Sequence, residues 1–147
     1  MGFRRTTAVV AVLASAAAVL TIAGGAGAAA APTTLTASLS GEAEPEGGQG
    51  SGTARLTLDP ATGRVCFNIR LRGVGTTAAG HIHRGAEGVA GPVVIALYGE
   101  PTRRPRGCVQ DQPAAAIRQI LRRPGRFYVN VHTAAHPDGA ARGQLER

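Results

Sequence analysis

An antiparallel all-β sandwich or barrel with one short helix is the fold class predicted for this chain of 147 residues. Three observations point there. From Leu35 onward, short runs of alternating apolar and polar residues recur, the pattern of half-buried strands. Turn chemistry rich in Gly, Pro, Asp and Ser separates them. Only one stretch, near residues 113–123, spaces its apolar residues as a helix does.

In chain order the first element is a leader. "MGFRR" supplies a basic start, and "AVVAVLASAAAVLTI" from Ala8 to Ile22 holds no charge. That run is short of the ~20 apolar residues a membrane-spanning helix needs. The small residues of "AGGAGAAAAP" then provide Ala-x-Ala cleavage sites near residues 28–31. Residues 1–30 therefore read as a secretory signal peptide, with an uncleaved anchor as the alternative. Thr6 and Thr7 follow Arg4-Arg5 where twin-arginine export wants apolar residues, so general secretion is the expected route. One β domain over residues 33–147 remains, and the expected location is extracellular.

All 16 basic residues are arginine. Arg4 and Arg5 leave with the leader and no acid does, which takes the net charge from +7 to +5. Such a surface favours anionic polymers. The arginines are scattered and only five aromatics are present, too few stacking platforms for nucleic acid, which is not an expected partner.

"TLTASLSG" directs Leu35, Ala37 and Leu39 to one side. The acidic "EAEPEGGQGSG" reads as a flexible loop holding Glu42, Glu44 and Glu46. "TARLTL" alternates Ala54, Leu56 and Leu58, and "DPATG" turns the chain. In "RVCFNIRLRG", Val65, Phe67, Ile69 and Leu71 face inward, while Cys66, Asn68, Arg70 and Arg72 face outward. Two cysteines in an exported chain invite a bridge. Pairing Cys66 with Cys108 closes a loop of about 42 residues, worth roughly 4 kcal/mol in the chain-entropy model. From the back of its sheet, Cys66 would pin the 99–112 segment over that outer surface. The rival, thiolates in a metal site, lacks any C-x-x-C spacing.

"PVVIALYG" from Pro92 is a further strand. "PAAAIRQILRRPG" puts Ile117, Ile120 and Leu121 on one helical face, with Pro113 in the first turn and Pro124-Gly125 ending the helix. "RFYVNVHT" points Phe127, Val129 and Val131 inward and Tyr128, Asn130 and His132 to the other face. After the turn "AHPDGA", "ARGQLER" closes the chain as a last short strand.

"HIHRGAEGVAGPVVIALYG" and, further on, "FYVNVHTAAHPDGAARGQLER" resemble the CHRD domain, named for its occurrence in chordin. The likeness runs from about Leu35 to Arg147. It implies an immunoglobulin-like β-sandwich or barrel, similar in organisation to copper/zinc superoxide dismutases, where an H-x-H strand also builds the metal site. The growth-factor binding of the animal protein does not carry over to a single exported domain. His136 stands where relatives are expected to carry asparagine, tyrosine or phenylalanine.

Residues i and i+2 of a strand share a face, with Cα atoms roughly 6.5–7 Å apart. His81 and His83 therefore aim at one point, and His132 completes a three-histidine set if its strand lies alongside. Copper or zinc suits such nitrogen ligands. His136, Glu87 and Asp138 are the available further or supporting groups. The other reading makes the same rings anchors of the glycine loop, assisted by Asn130, Thr133 and Arg142. Gly85, Gly88 and Gly91 then serve positive φ or close backbone approach. The residues leave both readings open.

Catalysis has little support. Four histidines cannot furnish the two sites of a copper/zinc dismutase, and the serines lack a nucleophile elbow. Met1 is the sole methionine and the two cysteines are expected to pair, which together exclude blue-copper ligation. A single-metal redox site stays open. The expected function is a non-catalytic extracellular binding or structural module of unknown ligand; the alternative is a single-site metal-binding protein using the three histidines. Its expected partner is an extracellular protein or, through the arginines of residues 103–106 and 118–126, an anionic cell-envelope polymer.

Overall fold

The structure, a computed structural model, describes residues 1–2, 31–45 and 48–147. The leader expected over residues 1–30 therefore lies almost wholly outside the described residues. Eight strands form one antiparallel sheet: β1 (Thr33–Ser40), β2 (Ser51–Asp59), β3 (Arg64–Arg72), β4 (Ala79–Arg84), β5 (Val93–Tyr98), β6 (Arg106–Val109), β7 (Phe127–His132) and β8 (Ala141–Gln144). Their order is β5-β4-β7-β8-β1-β2-β3-β6. The two end strands approach each other, so the sheet curls into a nearly closed barrel. A Thr77–Thr102 bridge and the stacking of Phe67 on Tyr98, ring centroids 5.7 Å apart, draw the two edges together.

The alternation seen in the sequence becomes the core. Leu35, Leu56, Leu58, Val65, Ile82, Val129 and Val131 are fully buried, and each such side chain stabilises the fold by about 1.5–3 kcal/mol. One short helix, α1 (Ala114–Arg122), closes one end of the barrel with Ile117 and Ile120. Pro113 precedes this helix as its cap instead of lying in the first turn, and its carbonyl accepts from the amides of Ala116 and Ile117. The Pro124–Arg126 turn ends it and leads into β7. No helix among the described residues is long and apolar enough to cross a membrane.

Two expectations need correction. Cys66 and Cys108 are disulfide-bonded, but the bridge does not pin a segment over the outer surface. Cys108 lies in β6, directly opposite Cys66 of β3, so the bond joins neighbouring strands and fastens the last strand to the sheet edge. Glu44, assigned to a flexible acidic loop, is buried beside Arg142, because an arginine inside the fold needs an anionic neighbour to offset its desolvation.

Strand β6 has little else to hold it, since Arg106, Gly107 and Cys108 are all exposed. Replacing both cysteines by alanine should cost about 2–4 kcal/mol. Hydrogen exchange should show β6 fraying, its amides losing more protection than those of β7, which lose only the global part. Equal loss of protection in both strands would mean that the bridge stabilises the whole barrel through the unfolded chain.

Candidate metal centre

Strands β4 and β7 are antiparallel neighbours whose register sets His83 opposite Tyr128, His81 opposite Asn130 and Ala79 opposite His132. Ile82 turns into the core, which leaves His81 and His83 on the outer face. Tyr128, Asn130 and His132 share that face, and Arg142 of β8, paired with Asn130, extends it. The ligand atoms of His81, His83 and His132 all lie within 4.8 Å of one another. His132 reaches the pair diagonally, two residues beyond the position opposite His81, a separation that long side chains bridge.

This outer face is not open surface. Two loops fold over it, which is why Tyr128 and Asn130 are only 2% and 3% exposed and β7 is buried on both sides. The first loop, residues 85–92, is fastened to the histidine that precedes it. His83 Nδ1 donates to the Gly91 carbonyl at 2.9 Å, and the Gly91 amide donates to the Tyr128 hydroxyl at 3.1 Å. The His83 and Tyr128 rings stack at 5.0 Å. At Gly91 a Cβ would lie 1.6 Å from the Arg84 carbonyl oxygen, so only glycine allows this close approach. At Gly85 a Cβ would sit 2.6 Å from the Val89 carbonyl, and Gly88 turns the loop with φ +75°.

The second loop, residues 133–140, is held in the same way. His132 Nδ1 donates to the Pro137 carbonyl at 2.9 Å, and Asn130 Nδ2 to the Asp138 carbonyl at 3.3 Å. Thr133 Oγ1 accepts from the His136 amide. Arg142 stands 3.8 Å from Glu44 and lies over the Tyr128 ring, bracing the floor of the cluster.

These bonds fix the tautomers. A carbonyl only accepts, so Nδ1 carries a proton in both His83 and His132, and in the neutral ring Nε2 presents a lone pair. His132 Nε2 meets His81 Nδ1 at 3.0 Å, hence in the metal-free protein His81 Nδ1 donates that bond. His83 Nε2 is buried and has no hydrogen-bond partner among the described residues. Burial holds the His81 imidazole below its ordinary pKa, reinforced by His132 and His83 beside it. Burial lowers His132 too, against a partly opposing bond to Pro137. Both rings are thereby kept neutral, the form that binds metal.

The remaining candidates are less central. Glu87 is exposed and makes no side-chain hydrogen bond or ion pair among the described residues, and Asp138 touches the cluster only through its backbone carbonyl. His136 contributes its amide to the second loop. The contributions that residue types did not advertise are the carbonyls of Gly91 and Pro137, and Glu44. The H-x-H followed by a loop ending in Gly-Pro was the available signal for the first of these; the sequence carries no signal for Glu44.

A family model, that of the CHRD domain, matches residues 35–145, nearly all of the barrel. No curated protein and no solved structure matches the chain.

Proposed function

The chain belongs to the CHRD domain family, and on that premise we propose that it is a non-catalytic extracellular module built round a single three-histidine centre for copper or zinc. The observation that carries this reading is the buried Nε2 of His83, whose ring is locked by Gly91 with its lone pair aimed toward two other neutral imidazoles. Loop anchoring accounts for the Nδ1 atoms of His83 and His132. It leaves the His83 Nε2 unsatisfied, at a cost of about 1–3 kcal/mol. His83 Nε2, His132 Nε2 and His81 would hold the ion, which would replace the His81–His132 hydrogen bond and give His83 Nε2 a partner, with the Gly91 and Pro137 carbonyls as the orienting acceptors that imidazole ligands usually have.

Among the described residues no carboxylate belongs to the cluster, so none of them sets a general base beside a bound ion. That supports a binding role over hydrolysis. The leader-like start and the Cys66–Cys108 bridge support an extracellular setting.

Titration of the oxidised, metal-free protein with copper(II) and with zinc at neutral pH tests the proposal. One equivalent of each should bind, copper the more tightly, as nitrogen donors order the two ions. A folded protein that binds neither would overturn it.

The lowered histidine pKa values predict a pH dependence of the metal-free fold. Below the ordinary value of 6.5 the unfolded chain takes up protons that native His81 and His132 still refuse. Stability from these rings is therefore complete above about pH 6.5 and is lost as pH falls through their lower native values. Glu44, raised chiefly by burial, acts with the opposite sign above its ordinary 4.5. Thermal midpoints from pH 8 to 5 should consequently fall more steeply in the wild type than in a His81→Gln/His132→Gln variant. Parallel curves would contradict the assignment.

A further inference from the structure

On the far side of the 85–92 loop lies an open groove of about 640 Å³, lined by Arg84, Gln119, Arg122, Arg123, Arg126 and Phe127 together with Gly85 and Ala86. Among the described residues four guanidinium groups line it and no acid does. They come from separate elements: Arg84 from the end of β4, Arg122 and Arg123 from the end of α1, and Arg126 from the turn before β7. The helix C-terminus favours cations and explains the two arginines of α1. It explains neither Arg84 nor Arg126, and gathering four like charges opposes folding unless something of opposite charge repays it.

The walls are built, not incidental. Arg84 donates to Gln119 Oε1 at 2.6 Å and lies over the Phe127 ring at 5.6 Å. The Gly85 amide donates to the Arg126 carbonyl, and Gln144 Nε2 donates to the carbonyls of both Gly85 and Gly125. Gln119 spends its oxygen on Arg84, which leaves its amide hydrogens as further donors. The polar side chains lining the groove thus offer positive charge and N–H groups, beside the apolar Ala86 and Phe127, on a frame tied to three elements.

We propose that this groove is a binding site for oxyanion groups carried in series on an extracellular anionic polymer. The planar fork of arginine pairs two N–H groups with two oxygens of a phosphate, sulfate or carboxylate, and several forks along an open groove match a chain of such groups better than a single ion. The site shares the 85–92 loop with the histidine centre but none of the three histidines, so its arginines can be tested separately.

Calorimetric titration of the metal-free protein with inorganic phosphate, tripolyphosphate, dextran sulfate and polyglutamate, at low and physiological salt, tests this. Tripolyphosphate should bind more than about tenfold tighter than inorganic phosphate, with an affinity that falls as salt rises. Whichever of the three polyanions binds tightest identifies the oxyanion preferred. An Arg122→Ala/Arg126→Ala variant should lose about a hundredfold or more, since each charge-assisted contact is worth about a factor of ten or more. Both arginines are exposed, so folding is spared. An Arg55→Ala/Arg72→Ala variant, equal in charge change and also exposed, should retain wild-type affinity. Equal losses in the two variants would reduce the effect to net charge and overturn the proposal, as would tripolyphosphate binding no tighter than phosphate, or no binding at all.

Discussion

His83→Ala is expected to weaken copper(II) and zinc binding by at least about a hundredfold, more than loss of a supporting group achieves, because it removes a ligand itself. It should cost the metal-free fold little more than about 2 kcal/mol. The stack on Tyr128 and the bond to Gly91 are lost, but the buried Nε2 without a partner goes with them. The two effects separate the readings. If His83 served only to anchor the loop, the variant would lose stability and leave metal affinity as it was.

The second large effect lies in the loop backbone. Gly91→Ala drives a methyl group against the Arg84 carbonyl, which belongs to a strand and cannot give way cheaply. The loop must lift, and a loss of about 3 kcal/mol follows. The Gly91 carbonyl that orients His83 moves with it, so metal affinity should fall together with the thermal midpoint. Gly85→Ala meets the Val89 carbonyl of the same loop at 2.6 Å and the Tyr128 ring at 3.0 Å, wider approaches than at Gly91, and should cost less. Gly88→Ala meets no atom within 4 Å, and its φ of +75° leaves a strain of only about 1–2 kcal/mol. Midpoints measured across the three variants should rank Gly91 lowest and Gly88 highest; any other order would mean that the loop is held elsewhere.

Much of the barrel was legible because one-sided burial writes itself as alternation. In β3 the inward set of Val65, Phe67 and Ile69 is what the period of two indicates. Strand β6 escaped notice since its four residues have almost no buried side chains to alternate; it is held by pairing with β3 and by one disulfide, neither of which leaves a hydrophobic pattern. The shared face of His81 and His83 follows from their spacing alone. The approach of His132 required the pairing of β4 with β7, a contact between segments some fifty residues apart. Least legible was what makes the rings usable. Gly91 and Pro137 act through carbonyls, which every residue has, and Glu44 is buried beside Arg142 and Gly139, which come from the far end of the chain.

Diffraction from zinc-loaded crystals at wavelengths on either side of the zinc edge tests the central claim most directly. One anomalous peak is predicted, about 2.0–2.1 Å from His83 Nε2, His132 Nε2 and a ring nitrogen of His81, with His83 Nδ1 still donating to Gly91. A peak held by other residues, or none beside an intact trio of histidines, would contradict it.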